Sequence, residues 1–168
     1  MILRLGEVEL SDFTEGDISA TYLSWLNDPF HMKYSTQRFL EHTHDSAVDY
    51  LSSFEGTPNR FFAIKVHGKL VGSATFYVNS DYGTASPGIL IAPEHVGKGF
   101  GKRAWELLVL VLPTQLGIRK VSAGTLELNL AMIKLFDSCK MEFEARLVGE
   151  GIFNEIPTDI LIYRKFLN

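Results

Sequence analysis

The sequence predicts an α/β fold in a single domain, with a mixed, mostly antiparallel sheet of six to seven strands and helices on both faces. The chain has 168 residues, of which 46% are apolar, so one sizeable core can form and disorder is excluded. Short runs of branched and aromatic residues alternate with amphipathic helical patterns. No repeat, linker or low-complexity segment divides residues 1–168.

Two amphipathic helices follow a first strand at residues 2–10, in which Gly6 is a candidate bulge. The first helix carries apolar residues at i, i+4, i+7 and i+8 from Ile18 and should end near residues 27–29. The second helix begins after Thr43, a typical cap residue. Both helices therefore precede the main part of the sheet.

The next strands form a hairpin and a return strand. Residues 61–66 and 70–78 pair around the turn at residues 67–68. Residues 85–92 return as a central strand, in which Pro87 marks a bulge or an edge because proline has no N–H to donate. Further strands are predicted at residues 121–125, 143–148 and 160–166.

A glycine-rich loop follows the central strand and leads directly into a helix. Gly97, Gly99 and Gly101 permit positive φ and a close approach, so several backbone N–H groups can converge on one anion. The positive end of a helix beginning near Lys102 reinforces this, as do the cationic side chains of Lys98 and Lys102. The expected guest is a phosphate or pyrophosphate.

Two common phosphate-binding patterns do not fit this loop. The P-loop pattern requires glycine where the chain has Val96, and serine or threonine where it has Arg103. The dinucleotide pattern requires glycine at Lys102 and an acidic residue about twenty positions beyond Gly101, and neither is present.

The loop instead resembles the acetyl-CoA loop of the GCN5-related N-acetyltransferase (GNAT) family, written Q/R-x-x-G-x-G/A, with residues 96–101 aligned to it. Val96 departs from the first position, which in the family contacts the cofactor diphosphate largely through its backbone. A second block, residues 120–125 followed by Asn129 and an apolar helix, resembles the family's strand, asparagine and helix. The resemblance extends over nearly the whole chain.

The second block departs from the family pattern at its end. Lys140 and Met141 stand where the family has Gly-Phe, and Phe136 stands where many members place tyrosine. The absence of a phenol there removes a proposed acid for the departing CoA sulfur. Phe136 is instead expected to form a wall of the pantetheine slot.

The resemblance implies a GNAT fold in which the strands before and after the glycine loop run parallel and splay apart, with the pantetheine of acetyl-CoA between them. One backbone N–H in this region would face the thioester oxygen as an oxyanion donor. The implied cofactor-binding residues are Leu90, Ile91, Ala92, Val96, Gly97, Lys98, Gly99, Phe100, Gly101, Lys102, Asn129 and Phe136.

Glu127 and Asn129 are the candidate catalytic residues. Glu127 follows a strand end beside the implied cleft, so it could accept the amine proton directly or through water, or it could be a solvated charge. Asn129 could equally cap the following helix. Ser86 and the histidines compete for the role of base. The spacing His42-x-His44 lacks a third ligand, so no metal is predicted.

The polar and aromatic stretch at residues 34–44 is a candidate acceptor-recognition loop. Trp25, Tyr34 and Arg38 are its candidate substrate-binding residues, with core or surface packing as the alternative. Residues 22–29 and 38–40 resemble GNAT members that acetylate amino sugars attached to nucleotides, and less closely the ribosomal-protein (RimJ/RimL-like) acetyltransferases. The implied activity is transfer of acetyl from acetyl-CoA to a primary amine in one ternary complex.

Three alternatives stay open: N-terminal acetylation of ribosomal proteins, CoA binding without chemistry, and a different nucleotide-binding function. The net charge of −4 argues against a nucleic-acid partner, and no apolar run is long enough to span a membrane. The single cysteine, Cys139, is expected to be an inert core thiol in a cytoplasmic protein. A homodimer is compatible with the sequence.

Overall fold

The computed structural model describes residues 1–167, in which hydrogen-bonded strands form one eight-stranded sheet. The strands are β1 Ile2–Leu5, β2 Val8–Asp12, β3 Arg60–Val66, β4 Lys69–Asn79, β5 Thr84–Ile91, β6 Lys120–Leu126, β7 Glu142–Phe153 and β8 Ile156–Phe166. The helices are α1 Ala20–Leu26, α2 His44–Ser52, α3 Phe100–Glu106, α4 Leu112–Leu116 and α5 Leu130–Ser138. The order β1-β2-β3-β4-β5-β6-β8-β7 is antiparallel throughout except for β5 and β6.

The sheet has one strand more than the upper number predicted, because the N-terminal segment forms a hairpin. Gly6 has a φ of +60° and lies in the turn between β1 and β2 rather than in a bulge. The left-handed conformation suits glycine, which has no Cβ to oppose it. A single strand at residues 2–10 is therefore wrong, although the α/β class is confirmed.

Helices cover both faces of the sheet, and β3 shows how the sequence divides them. Phe62 and Ile64 point into a large apolar cluster with the helices that follow the glycine loop. Phe61 and Ala63 point to the opposite face, into a second cluster built with α1 and α2. Because successive side chains of a strand point to opposite faces of the sheet, the single apolar run of β3 contributes to both clusters.

The central parallel pair is splayed, as expected. Only two residue pairs join β5 to β6, namely Thr84 with Lys120 and Ala85 with Val121. Pro87 lies two residues beyond the last pair, while the register between β5 and β4 continues without a shift. Pro87 is therefore not a bulge. It lies at a free edge of β5, beyond the last residue paired with β6, where no backbone N–H is needed for a ladder hydrogen bond.

The segment behind the glycine loop stays helical through residues 100–116. A π-helical stretch, Leu107–Val111, joins α3 to α4, and Pro113 lies in the first turn of α4. A proline ring normally clashes with the preceding turn, and the wider π turn before it allows the chain to continue. Gly117, with a φ of +67°, ends the helix.

Candidate active site

The glycine loop forms an open cradle at the start of α3. Gly97 and Gly99 have φ values of +83° and +82°, and Gly99 is the N-cap residue of the helix. A Cβ at Gly97 would meet no atom within 4 Å, so the space beside it is free for a ligand. The helix begins at Phe100, two residues earlier than expected. Its first N–H groups therefore point into the same space.

Three cations surround this cradle, and they differ in what they contact. Arg103 lies 3.4 Å from Glu7, and Lys98 lies 3.4 Å from His95 Nδ1. Lys102 is exposed on the first turn of α3. Because the Glu7 carboxylate already partly neutralises Arg103, Lys98 and Lys102 are the better placed partners for a phosphate.

The backbone of β5 presents only every second residue to the splayed opening. Ala92 N–H donates to Val71 O at 2.8 Å, which fixes the even-numbered residues of β5 as those bonded to β4. Leu90 and Ala92 consequently have their N–H groups occupied within the sheet. The N–H groups of Ile89 and Ile91 face away from β4, toward the opening.

This parity corrects one expectation. Of Leu90, Ile91 and Ala92, only Ile91 can direct a backbone N–H toward a thioester, and Ile89 joins it as a second candidate. The carbonyl of Ile91 faces the same side, where it accepts a 2.7 Å hydrogen bond from His31 Nε2. His31 therefore ties the segment after α1 to the open edge of β5.

A cavity of about 480 Å³ lies beside β5 on the face covered by α1 and α2. Residues 88–90 of β5 line it, so it reaches the strand that leads to the glycine cradle. The polar side chains that line it are Tyr22, Ser35, Gln37, Glu41, His42, Ser46, Tyr50, Ser73, Thr75 and Tyr77. This cavity is the candidate acceptor site.

Paired hydroxyl groups line the floor and one side of this cavity. Tyr22 and Ser73 are buried, with 3.3 Å between their hydroxyl oxygens, and the hydroxyls of Tyr50 and Tyr77 lie 2.6 Å apart. Burial raises the pKa of Tyr22, and burial together with the Tyr77 hydroxyl raises the pKa of Tyr50. Both phenols thus stay protonated near neutrality and serve as hydrogen-bond donors, not as bases.

The three candidate substrate residues lie outside the lining of this cavity. Trp25 is buried in the α1 cluster, with its ring edge-on to Tyr22 at 5.9 Å, so it is a core residue. The Tyr34 ring lies 5.3 Å from that of Phe153. Arg38 donates to the carbonyls of Ser35 and Ile152. Tyr34 and Arg38 thus join the recognition loop to the β7–β8 hairpin.

The two candidate catalytic residues have structural partners. The Glu127 carboxylate accepts from Arg146 Nη1 at 2.7 Å, and Arg146 also contacts Asp159 at 2.7 Å. Asn129 caps α5 by accepting from Met132 N, and its amide donates to Thr125 Oγ1 at 3.1 Å. Glu127 is thus engaged in an ion pair, and it does not line the acceptor cavity described above.

Phe136 is fully buried, with 0% of its surface exposed. Its ring lies between those of Trp105, at 5.6 Å, and Tyr163, at 5.0 Å. The expected contact with pantetheine would require this ring to be uncovered first. Its position is that of a core residue joining α5 to α3 and β8.

The lining residues that sequence reasoning did not single out are mostly short or polar. Glu41 belongs to the recognition loop, whose composition was the available signal. His42, in the same loop, is among the histidines that the sequence offered as a candidate base. Ser73 lies in the middle of β4, opposite Leu90, where an alternating strand pattern gives no hint of a ligand-facing hydroxyl. Only the three-dimensional pairing of β4 with β5 places it in the cavity.

Comparison with known proteins shows the family and the fold of the chain. The acetyltransferase (GNAT) domain matches residues 7–142 of the chain. Spermidine N(1)-acetyltransferase of Vibrio cholerae serotype O1 is 24% identical over 150 residues, which cover 86% of this chain and 81% of that enzyme.

Solved structures share the fold at low sequence identity. RimL, a ribosomal L7/L12 alpha-N-protein acetyltransferase solved in complex with coenzyme A, has a TM-score of 0.88 at 14% identity and covers 99% of this chain and 98% of its own. Microcin C7 self-immunity acetyltransferase MccE, solved with acetyl-CoA and AMP, has a TM-score of 0.84 at 18% identity. The match covers 96% of this chain and 93% of MccE. Spermidine N-acetyltransferase from Vibrio cholerae, solved with CoA and spermine, has a TM-score of 0.82 at 23% identity, with 96% of each chain covered.

Because the domain match spans well over half of the sequence, the chain belongs to the GNAT acetyltransferase family. It is an N-acetyltransferase that uses acetyl-CoA as co-substrate. Within residues 1–167, no cluster of three or more His, Cys, Asp or Glu side chains could hold a metal ion. No helix in the same range is long and apolar enough to cross a membrane.

The burial of Phe136 predicts that Phe136→Leu acts on stability. Loss of the ring between Trp105 and Tyr163 should lower the free energy of unfolding by about 1–2 kcal/mol, or the melting temperature by about 2–6 °C. Urea denaturation measures the free energy of unfolding, and isothermal titration calorimetry measures the affinity for acetyl-CoA.

Phe166→Leu is the matched control, since Phe166 is 54% exposed and its replacement should change stability by less than about 0.5 kcal/mol. A Phe136→Leu protein of parental stability with clearly weaker acetyl-CoA binding would show that the ring contacts the cofactor after all.

Proposed function

We propose that the protein transfers the acetyl group of acetyl-CoA to a primary amine of a small molecule, specifically an amino-sugar nucleotide, by direct attack within one ternary complex. The observation that carries this proposal is that two different sites meet along β5. The glycine cradle follows the end of the strand, and the acceptor cavity is lined by its residues 88–90. An acyl donor and an amine held in these sites would meet at the strand.

The acetyl-CoA site is built mostly from backbone. The cradle at residues 96–101 has the positive-φ glycines and the helix N-terminus that a diphosphate needs, and Lys98 and Lys102 add charge. The backbone N–H groups of Ile89 and Ile91, which face the splayed opening, fit the amide carbonyls of a pantetheine arm. One of their N–H groups would polarise the thioester carbonyl. Val96, which is 61% exposed, would contribute its main chain only.

Direct transfer is favoured because the only cysteine is not a suitable nucleophile. Cys139, the only cysteine, is buried at the end of α5, and burial raises the pKa of its thiol. A thiol held neutral in the core cannot take up an acetyl group. The protein's contribution is therefore positioning, polarisation of the carbonyl and removal of one amine proton.

The cavity lining supports a sugar-like acceptor. Hydroxyls of tyrosine, serine and threonine alternate with apolar surface, which suits the polar edges and apolar faces of a sugar ring. Glu41 is the only carboxylate in the described lining and would attract a single ammonium group. A polyamine carries several positive charges, and for these the lining offers no further carboxylates. Lys33 and Arg38, on the adjoining loop, supply positive charge toward which a diphosphate could extend.

The cradle predicts that Gly99→Asp weakens acetyl-CoA binding by at least about 100-fold. The new carboxylate would occupy the place of the phosphates and oppose their charge. Calorimetric titration with acetyl-CoA measures the loss. Gly56→Asp is the control, because Gly56 has a similar φ of +70° with open space around it, so it introduces the same strain and charge in the turn between α2 and β3. Equal affinities in the two folded variants would contradict the assignment.

The acceptor assignment predicts the outcome of a CoA-release assay with three classes of amine. Amino-sugar nucleotides should give the highest kcat/KM, ahead of spermidine and of peptides that begin with serine or alanine. If spermidine or the peptides exceed every amino sugar by more than about tenfold, the polyamine or ribosomal-type alternative replaces the sugar proposal. Acetyl-CoA binding without CoA release from any amine would instead indicate a binding module without chemistry.

A further inference from the structure

His42 is the one imidazole in the described lining of the acceptor cavity, and it is fixed by hydrogen bonds on two sides. The Asn27 side chain accepts from His42 N at 2.9 Å and donates to His42 O at 2.8 Å. The ring is held separately, by a 3.0 Å hydrogen bond between Nε2 and the carbonyl of Gln37. Both the main chain and the ring of His42 are therefore positioned before any acceptor binds.

The Gln37 contact determines which ring nitrogen carries the proton. A carbonyl oxygen can only accept, so Nε2 must donate and must bear the hydrogen in the neutral ring. Nδ1 then carries an unshared electron pair. Because Nε2 stays hydrogen-bonded to the Gln37 carbonyl, the imidazole can take a proton at Nδ1 without losing its orientation.

The other titratable side chains that face the cavity are less suited to accept a proton. Tyr22 and Tyr50 have raised pKa values and stay protonated, and the Tyr77 hydroxyl is occupied by Tyr50. Glu41 precedes His42 in the loop and is exposed, so it is suited to attracting the ammonium form of the acceptor. No Lys, Arg or Asp side chain lies in the described lining to oppose protonation of the imidazole or to replace it.

We propose that His42 Nδ1 is the general base of the reaction, an assignment that rests on the proposed acetyl transfer. The acceptor enters as R–NH₃⁺ and gives one proton to Nδ1. Its nitrogen then forms a bond to the acetyl carbon while the carbon–sulfur bond breaks. The second amine proton neutralises the departing thiolate, which yields R–NH–acetyl and CoA–SH. The imidazolium returns its proton to solvent, so the transfer releases one proton overall.

Asn27 acts in this scheme as a positioning residue. It lies at the C-terminal cap of α1 and joins that helix to the recognition loop through its two bonds to His42. Asn27→Ala should lower kcat through the orientation of the ring, and Asn27→Asp, which keeps the acceptor oxygen but loses the donor, should have an intermediate effect.

The test compares His42→Gln, His42→Ala and His44→Gln with the parent, using the best acceptor from the amine panel. His44 is the matched control because it is exposed at the start of α2 and lies outside the cavity lining. His42→Gln should lower kcat by about 100-fold or more, leave acetyl-CoA affinity within about twofold, and remove the acid limb of the pH–kcat profile. Added imidazole should restore part of the activity of His42→Ala, and His44→Gln should behave as the parent.

A nitrogen-15 NMR spectrum of the parent ring provides a readout independent of turnover, and it should show the hydrogen on Nε2. A hydrogen on Nδ1, or a His42→Gln variant with parental kcat and an unchanged acid limb, would overturn the assignment of the base while leaving acetyl transfer intact. A parent that binds acetyl-CoA but releases no CoA with any amine would overturn the proposed function, and the base with it.

Discussion

The early end of the ladder between β5 and β6 is the constraint on which the site depends. After Ala85 the odd-numbered residues of β5 have no strand to bond, although the other edge of β5 stays paired to β4. Unpaired backbone groups away from water cost about 1–3 kcal/mol each, so such an edge needs a partner. His31 supplies one at the Ile91 carbonyl. In the proposed complex the pantetheine arm supplies others, and it thereby completes the sheet.

An open strand edge is useful for catalysis only if the strand itself does not move. The side chains of β5 alternate between the two cores: Ile89 and Ile91 pack against the larger cluster, and Leu90 and Ala92 pack against the cluster of α1 and α2. Apolar packing thus holds β5 from both faces while one backbone edge stays free. Donors fixed in this way need no reorganisation when charge develops on a thioester oxygen, which is the basis of electrostatic preorganisation.

The parts of the site that the sequence predicted are those made from main chain. Glycines that permit positive φ, followed by a helix, leave a recognisable pattern, so the sequence predicted the loop at residues 96–101. The splayed strands were implied by the resemblance to the GNAT family. Side-chain partners distant in sequence leave no such pattern. Arg146 lies 19 residues from Glu127 along the chain and forms an ion pair with it. Trp25, an aromatic residue beside the recognition loop, is a core residue. Ser73 reaches the cavity only through the pairing of β4 with β5.

The departures from the family pattern also concern side chains and not the main chain of the site. Lys140, at the position of the family's glycine, adopts a φ of +54°, a left-handed conformation that favours glycine. Met141 is buried, and its sulfur accepts from Trp105 Nε1 at 3.4 Å. Phe136 and Met141 are buried in the larger apolar cluster, whereas the backbone groups that face the splayed opening belong to β5.

In the proposed complex, recognition of acetyl-CoA through main-chain groups would tolerate such changes, including Val96. In the same proposal the acceptor is recognised partly by side chains of the recognition loop, such as Glu41 and His42, which a substitution changes directly. Members of a family built in this way can keep one cofactor and change acceptors by substituting a few loop residues. Under this proposal, side chains of the recognition loop contribute to selection of the amine.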